Sequence, residues 1–70
     1  MRTQMVQSSL LVSAGYDRAR RILEIEFLSK AVYQYFEVSE DIFDSLIAAD
    51  SKGSYFNSAI RGRYPFSRLS

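Results

Sequence analysis

After Asp50 the chain carries no further carboxylate side chain, yet it holds Lys52, Arg61, Arg63 and Arg68 interleaved with Tyr55, Phe56, Tyr64 and Phe66. Cations without acidic neighbours attract anions, and flat rings beside them can stack on bases. Arg61, Arg63 and Tyr64 stand at the end of a helical pattern. There, guanidinium groups can hold a phosphate through paired N–H donors while the ring takes a base. The same arginines can instead serve the helix, bonding its last carbonyls and complementing its dipole. A second candidate lies at Ser51, Lys52, Gly53 and Ser54. If Ser51 caps a helix here, the following amides face outward and Gly53 lets an anion come close.

Earlier in the chain, Tyr33 and Tyr35 are two residues apart in a run of strand formers, which sets them on one face roughly 7 Å apart along the strand. Such a pair is a platform for stacked bases, or a pair of packed aromatics with their hydroxyls at the rim. Asn57 can reach a polar ligand edge, or bond to nearby backbone. Arg18, Arg20 and Arg21 form a basic turn, read as a solvated loop. Glu24 and Glu26 share a strand face and mark its solvent side. With no histidine, no cysteine and no phosphate-binding glycine signature, general-base, thiol and nucleotide-hydrolysis chemistry have no carriers. The expectation is therefore a non-enzyme with no cofactor and no metal.

Three strands and two helices must position these groups. Ser8 to Tyr16 alternates Leu10, Val12 and Ala14 with Ser9, Leu11 and Ser13, and ends at the turn signal Gly15-Tyr16-Asp17. Arg21 to Leu28 alternates more cleanly, with Leu23, Ile25 and Phe27 on one side. Ala31 to Val38 follows after a short connection, so the three strands predict an antiparallel meander. Ser39 then reads as an N-cap, with Glu40 and Asp41 in the first turn and Val38 and Phe43 at staple positions. Ile42, Phe43, Leu46, Ile47 and Ala49 make the apolar stripe of a first helix. Tyr55, Phe56, Ala59 and Ile60 make that of a second, which ends near Gly62. Gly53 can either stop the first helix or open the second. Residues 65–70, beginning at Pro65, are expected to form a loose tail.

The fold class is thus α+β: a three-stranded antiparallel meander followed by two amphipathic helices packed on one sheet face, within a single domain of residues 1–70. A chain of 70 residues that is 47% hydrophobic folds, but with a thin core. Monomer and homo-oligomer are equally open. The net charge of +1 hides a division: residues 37–50 carry five acidic groups and no basic one, whereas residues 51–70 carry four basic and no acidic. Any nucleic-acid contact must therefore be local. No apolar run reaches the roughly 20 residues of a membrane span or resembles a signal peptide, so a cytoplasmic protein without membrane contact is expected.

Taken in order, Ser8-Ser9, Gly15-Tyr16-Asp17, Leu23, Phe27, Tyr33-Gln34-Tyr35, Val38 and the stretch Ala49 to Arg61 resemble the KTSC domain. Within that last stretch, Ser51, Gly53, Phe56, Asn57, Ile60 and Arg61 carry the likeness. The family is a short module found at the C-terminus of some lysyl-tRNA synthetases and as free-standing bacterial or phage proteins. Two positions depart from its pattern, Lys30 where a glycine is usual and Ser39 where a proline is usual; lysine suits an exposed hairpin and serine a helix cap. The resemblance implies RNA as the partner through the synthetase context, and implies no enzymatic activity. The reading is a non-catalytic RNA-binding module in which Arg61, Arg63 and Lys52 neutralise phosphates and Tyr33, Tyr35 and Tyr64 stack bases. The alternatives are a homo-oligomeric module that captures a nucleotide-like anion between subunits, and a protein-interaction adaptor.

Overall fold

The computed structural model describes residues 2–6 and 8–70. Its sheet has five antiparallel strands, β1 (Arg2–Met5), β2 (Leu11–Asp17), β3 (Ile22–Phe27), β4 (Val32–Tyr35) and β5 (Phe66–Arg68), in the order in which the chain makes them. Between β4 and β5 come two helices, α1 (Glu40–Ala48) and α2 (Lys52–Tyr55), and α2 continues without a break as a π-helical segment, Phe56–Ile60.

Cross-strand register settles which residues share a face. Leu23 pairs with Tyr16 and Tyr35, and Ile25 with Ala14 and Tyr33, so these side chains all point to one side. Both helices cover that side. Phe43 of α1 stacks on Tyr16 with ring centroids 5.6 Å apart, and Phe56 meets Tyr35 and Phe27 edge-on at 5.6 and 5.3 Å. Leu11, Leu46, Val38 and Ile60 complete a core from which water is fully excluded. The uncovered side presents Glu24 and Glu26, opposite Gln34 and Val32, with the Gln34 amide donating to Glu24 Oε1 at 3.1 Å.

Three features differ from the sequence reading. The sheet has five strands rather than three, because β1 and β5 are short and largely polar and show no apolar alternation. The segment 65–70, expected as a loose tail, carries β5, paired with β4 through Tyr33–Arg68, Gln34–Ser67 and Tyr35–Phe66. In β2 the register shifts between Leu11 and Ser13, a β-bulge that adds Val12 to one strand and reverses the face pattern across it. Leu11 therefore joins Ala14 and Tyr16 in the core, whereas strict alternation grouped it with Ser9 and Ser13.

The helix starts also depart from expectation in one case and match it in the other. Ser39 occupies the N-cap position of α1, but its side chain makes no capping bond; its carbonyl accepts from the Ile42 amide at 3.1 Å. Ser51 does cap α2, its Oγ accepting from the Ser54 amide at 3.3 Å. Gly53 therefore belongs to the second helix, and α1 ends at Ala48. At the basic turn, Asp17 Oδ1 accepts from the amides of Ala19 and Arg20, while Arg18 reaches Glu40 of α1 at 3.4 Å. No helix among the described residues is long and apolar enough to cross a membrane.

Candidate functional site

β5 is the edge strand of the sheet and is exposed at all three residues, beside the helical layer. A groove of about 460 Å³ runs between them. Phe56, Asn57 and Arg61 form its helical wall, Phe66 and Arg68 of β5 the opposite wall, and Phe27, Tyr33 and Tyr35 the floor. Leu10, Ser29 and Ala31 close one end. None of these lining residues is acidic, so the two guanidinium groups are not neutralised within the groove.

The floor is built by sheet register. Ile25 pairs with Tyr33 and Leu23 with Tyr35, which carries both tyrosines to the helix side, where they stack with centroids 6.3 Å apart and planes 19° apart. Phe27 packs edge-on to Tyr33 at 5.6 Å, and Phe66 tilts against both tyrosines at 5.7 and 5.8 Å. Tyr35 is only 5% exposed, whereas Phe66 is 58% exposed. The ring of Tyr35 is thus a floor tile rather than a free stacking face. Burial pushes its hydroxyl above the ordinary tyrosine range, the neighbouring Tyr33 adds to that rise, and the positive charge of Arg61 opposes it.

The π-helical segment sets the helical wall. Its closing bond runs from the Arg61 amide to the Phe56 carbonyl, five residues back, at 2.9 Å. One residue more per hydrogen-bonded turn widens the helix locally, a distortion frequently found at functional sites. Phe56 and Ile60 stay buried through it, and Asn57 and Arg61 emerge together on the groove side. Their side chains are joined by a long, exposed contact of 3.5 Å. On the opposite wall Arg68 lies over the ring of Tyr33, 5.9 Å from its centroid, and its Nε donates to the Ser70 carbonyl at 3.0 Å.

Of the residues singled out from sequence, the groove brings together Tyr33, Tyr35, Asn57 and Arg61. Arg63 is not among its lining; its Nε donates to the Ser58 carbonyl at 2.9 Å, closing the end of the helix. Tyr64 packs against the core cluster. Lys52 turns back to the Ala49 carbonyl at 2.9 Å. Gly53 is half-buried against the segment before β2: a Cβ there would stand 3.4 Å from Leu10 Cβ and 3.6 Å from Ser8 Oγ. Ser51 and Ser54 are engaged with each other in the cap. Phe27, Phe66 and Arg68 were given no site role from sequence, although Phe66 and Arg68 belong to the basic and aromatic stretch after Asp50. Phe27 read as plain core from its alternation, and Phe66 and Arg68 fell in the segment expected to be loose.

A sheet with helices on one face and a groove of rings and arginines at its rim defines a small α+β module. Comparison with known proteins places it further: the model of the KTSC domain family matches residues 7–64, and the chain belongs to that family. It is similar to the crystal structure of a KTSC domain protein from Yersinia pestis, with a TM-score of 0.94, 36% identity, and coverage of 99% of this chain and 97% of that one. A protein of Tsukamurella paurometabola is 43% identical over 61 residues, 87% of this chain and 91% of its own length. A lysine–tRNA ligase of Nostoc punctiforme is 38% identical over 64 residues, which are 91% of this chain but 11% of the ligase. The module therefore occurs both as most of a small protein and as a minor part of a large one.

Proposed function

We propose that this domain is a non-catalytic module that binds single-stranded RNA in the cytoplasm, using the groove between the π-helical segment and β5. The observation that carries this reading is the pairing of an aromatic floor with Arg61 and Arg68 on facing walls and no carboxylate in the lining. Single-strand binders combine cations for the backbone with rings for the bases. The presence of a similar module in lysine–tRNA ligases, enzymes whose name includes their RNA partner, favours RNA over DNA.

On this reading the roles differ from those read from sequence. Arg61 and Arg68 neutralise phosphate, while Tyr33 and Phe66 offer the accessible aromatic surface. Arg63, engaged with the Ser58 carbonyl, belongs to the helix end. Anisotropy of a labelled single-stranded RNA, titrated at low and then rising salt, tests this directly. Arg61→Ala is expected to weaken binding about tenfold, the loss of one charge-assisted contact, and to flatten the salt dependence by roughly one ion. Arg63→Ala is expected to change binding less than threefold. Equal losses from the two variants would place the RNA elsewhere. A second reading, capture of a free nucleotide-like anion, is favoured by the groove volume, which lies within the roughly 300–1,000 Å³ of small-molecule sites.

A further inference from the structure

The rings of the groove have spent most of their faces on one another. Tyr33 and Tyr35 stack, Phe27 and Phe56 each present an edge to one of them, and Phe66 tilts over both. A run of successively stacked bases needs a row of free ring faces. What remains here is one cup, bounded by Phe66 on one side and the helical wall on the other.

The cations are divided differently from the rings. Arg61 stands on the helical wall and Arg68 on β5 above Tyr33, and both line the groove. Two cations thus line a single cup whose floor is the stacked pair Tyr33 and Tyr35. A ligand with one anionic group leaves one guanidinium without a counter-charge. A nucleotide inside a strand carries a phosphate on each side of its base and satisfies both.

Building on the RNA-binding reading, we infer that the groove takes one nucleotide of a strand, its base against Tyr33 and Phe66 and its two flanking phosphates on Arg61 and Arg68. The domain is then a single-nucleotide clamp and not a multi-base platform. Arg68 is as much a part of it as Arg61, although it lies outside the 7–64 stretch that matches the family model.

Calorimetric titration of the full chain with adenosine 3′,5′-bisphosphate, adenosine 5′-monophosphate and a single-stranded RNA oligomer tests this. The bisphosphate is expected to bind about tenfold more tightly than the monophosphate, the worth of one added charge-assisted contact. Arg61→Ala and Arg68→Ala should each erase that advantage while leaving the melting temperature unchanged, since both side chains are exposed. Oligomer binding without a bisphosphate advantage overturns the clamp and leaves the RNA reading standing. A bisphosphate advantage without oligomer binding supports the two-anion subsite and overturns the strand. An advantage that survives both substitutions overturns the assignment of the arginines.

Discussion

Among the described residues, three other than glycine take up left-handed backbone: Arg21, Lys30 and Glu37, with φ of 57°, 73° and 61°. Lys30 is the instructive one. It closes the three-residue loop between β3 and β4, donating its amide to the Phe27 carbonyl at 2.9 Å, a loop type that ends in a left-handed residue. The lysine that suits the surface by its charge does not suit the backbone. An L-residue loses about 1–2 kcal/mol in this conformation, and glycine avoids that at an entropic cost of about 0.5–1 kcal/mol. Lys30→Gly is therefore expected to stabilise the domain by roughly 0.5–1 kcal/mol, read as a rise of several degrees in the melting midpoint. A fall would show that the lysine side chain supports the turn.

Tyr35 gives a second test at the same scale. Its hydroxyl titrates above the ordinary tyrosine value of 10.0, chiefly through burial. A folded value raised above the unfolded one means that its share of stability is complete below pH 10 and is lost as pH rises through the folded value. Ultraviolet titration of tyrosinate in the folded protein should show a late-ionising contribution that is lost in Tyr35→Phe. Because Arg61 holds the value down, Arg61→Ala should delay that contribution further. No change in the variant would mean that the guanidinium does not face the groove.

At the scale of elements, legibility followed length and regularity. Leu23, Ile25 and Phe27 alternate without interruption, and β3 is where their pattern places it. The bulge at Val12 inverts the phase of β2 partway along, so alternation could find the strand but not its inward face. β5 is three residues, all exposed, and its strand character comes from pairing with β4 rather than from its own composition. Since Phe66 and Arg68 sit on it, one wall of the groove was hidden together with the strand. The π-helical segment was equally hidden, because Phe56 and Ile60 keep the four-residue spacing of an ordinary helix. Gly53 was legible as a special position, but its surroundings were not: it faces Leu10 and Ser8 in the segment before β2. An alanine Cβ would make ordinary contact with Leu10. Gly53→Ala is thus expected to raise stability by a few tenths to about 1 kcal/mol through helix propensity. Denaturant midpoints measure it, and a loss above 1 kcal/mol would mean that the neighbouring loop cannot yield.

For the molecule as a whole, the order of strands in the sheet repeats the order in the chain, and this has a kinetic consequence. β2, β3 and β4 can each join the preceding strand across a short connection, which costs little loop entropy. The fifth must wait for both helices, because its partner β4 lies on the far side of them in the chain. The floor of the groove is therefore laid down early and its second wall late. Phe66→Ala should accelerate unfolding while leaving the refolding rate nearly unchanged, a φ-value near zero, whereas Ile25→Val in the central strand should slow refolding. Stopped-flow tyrosine fluorescence separates the two. During synthesis, on this account, the sheet core can close before residues 66–68 emerge, and the groove is complete only once they have paired with β4.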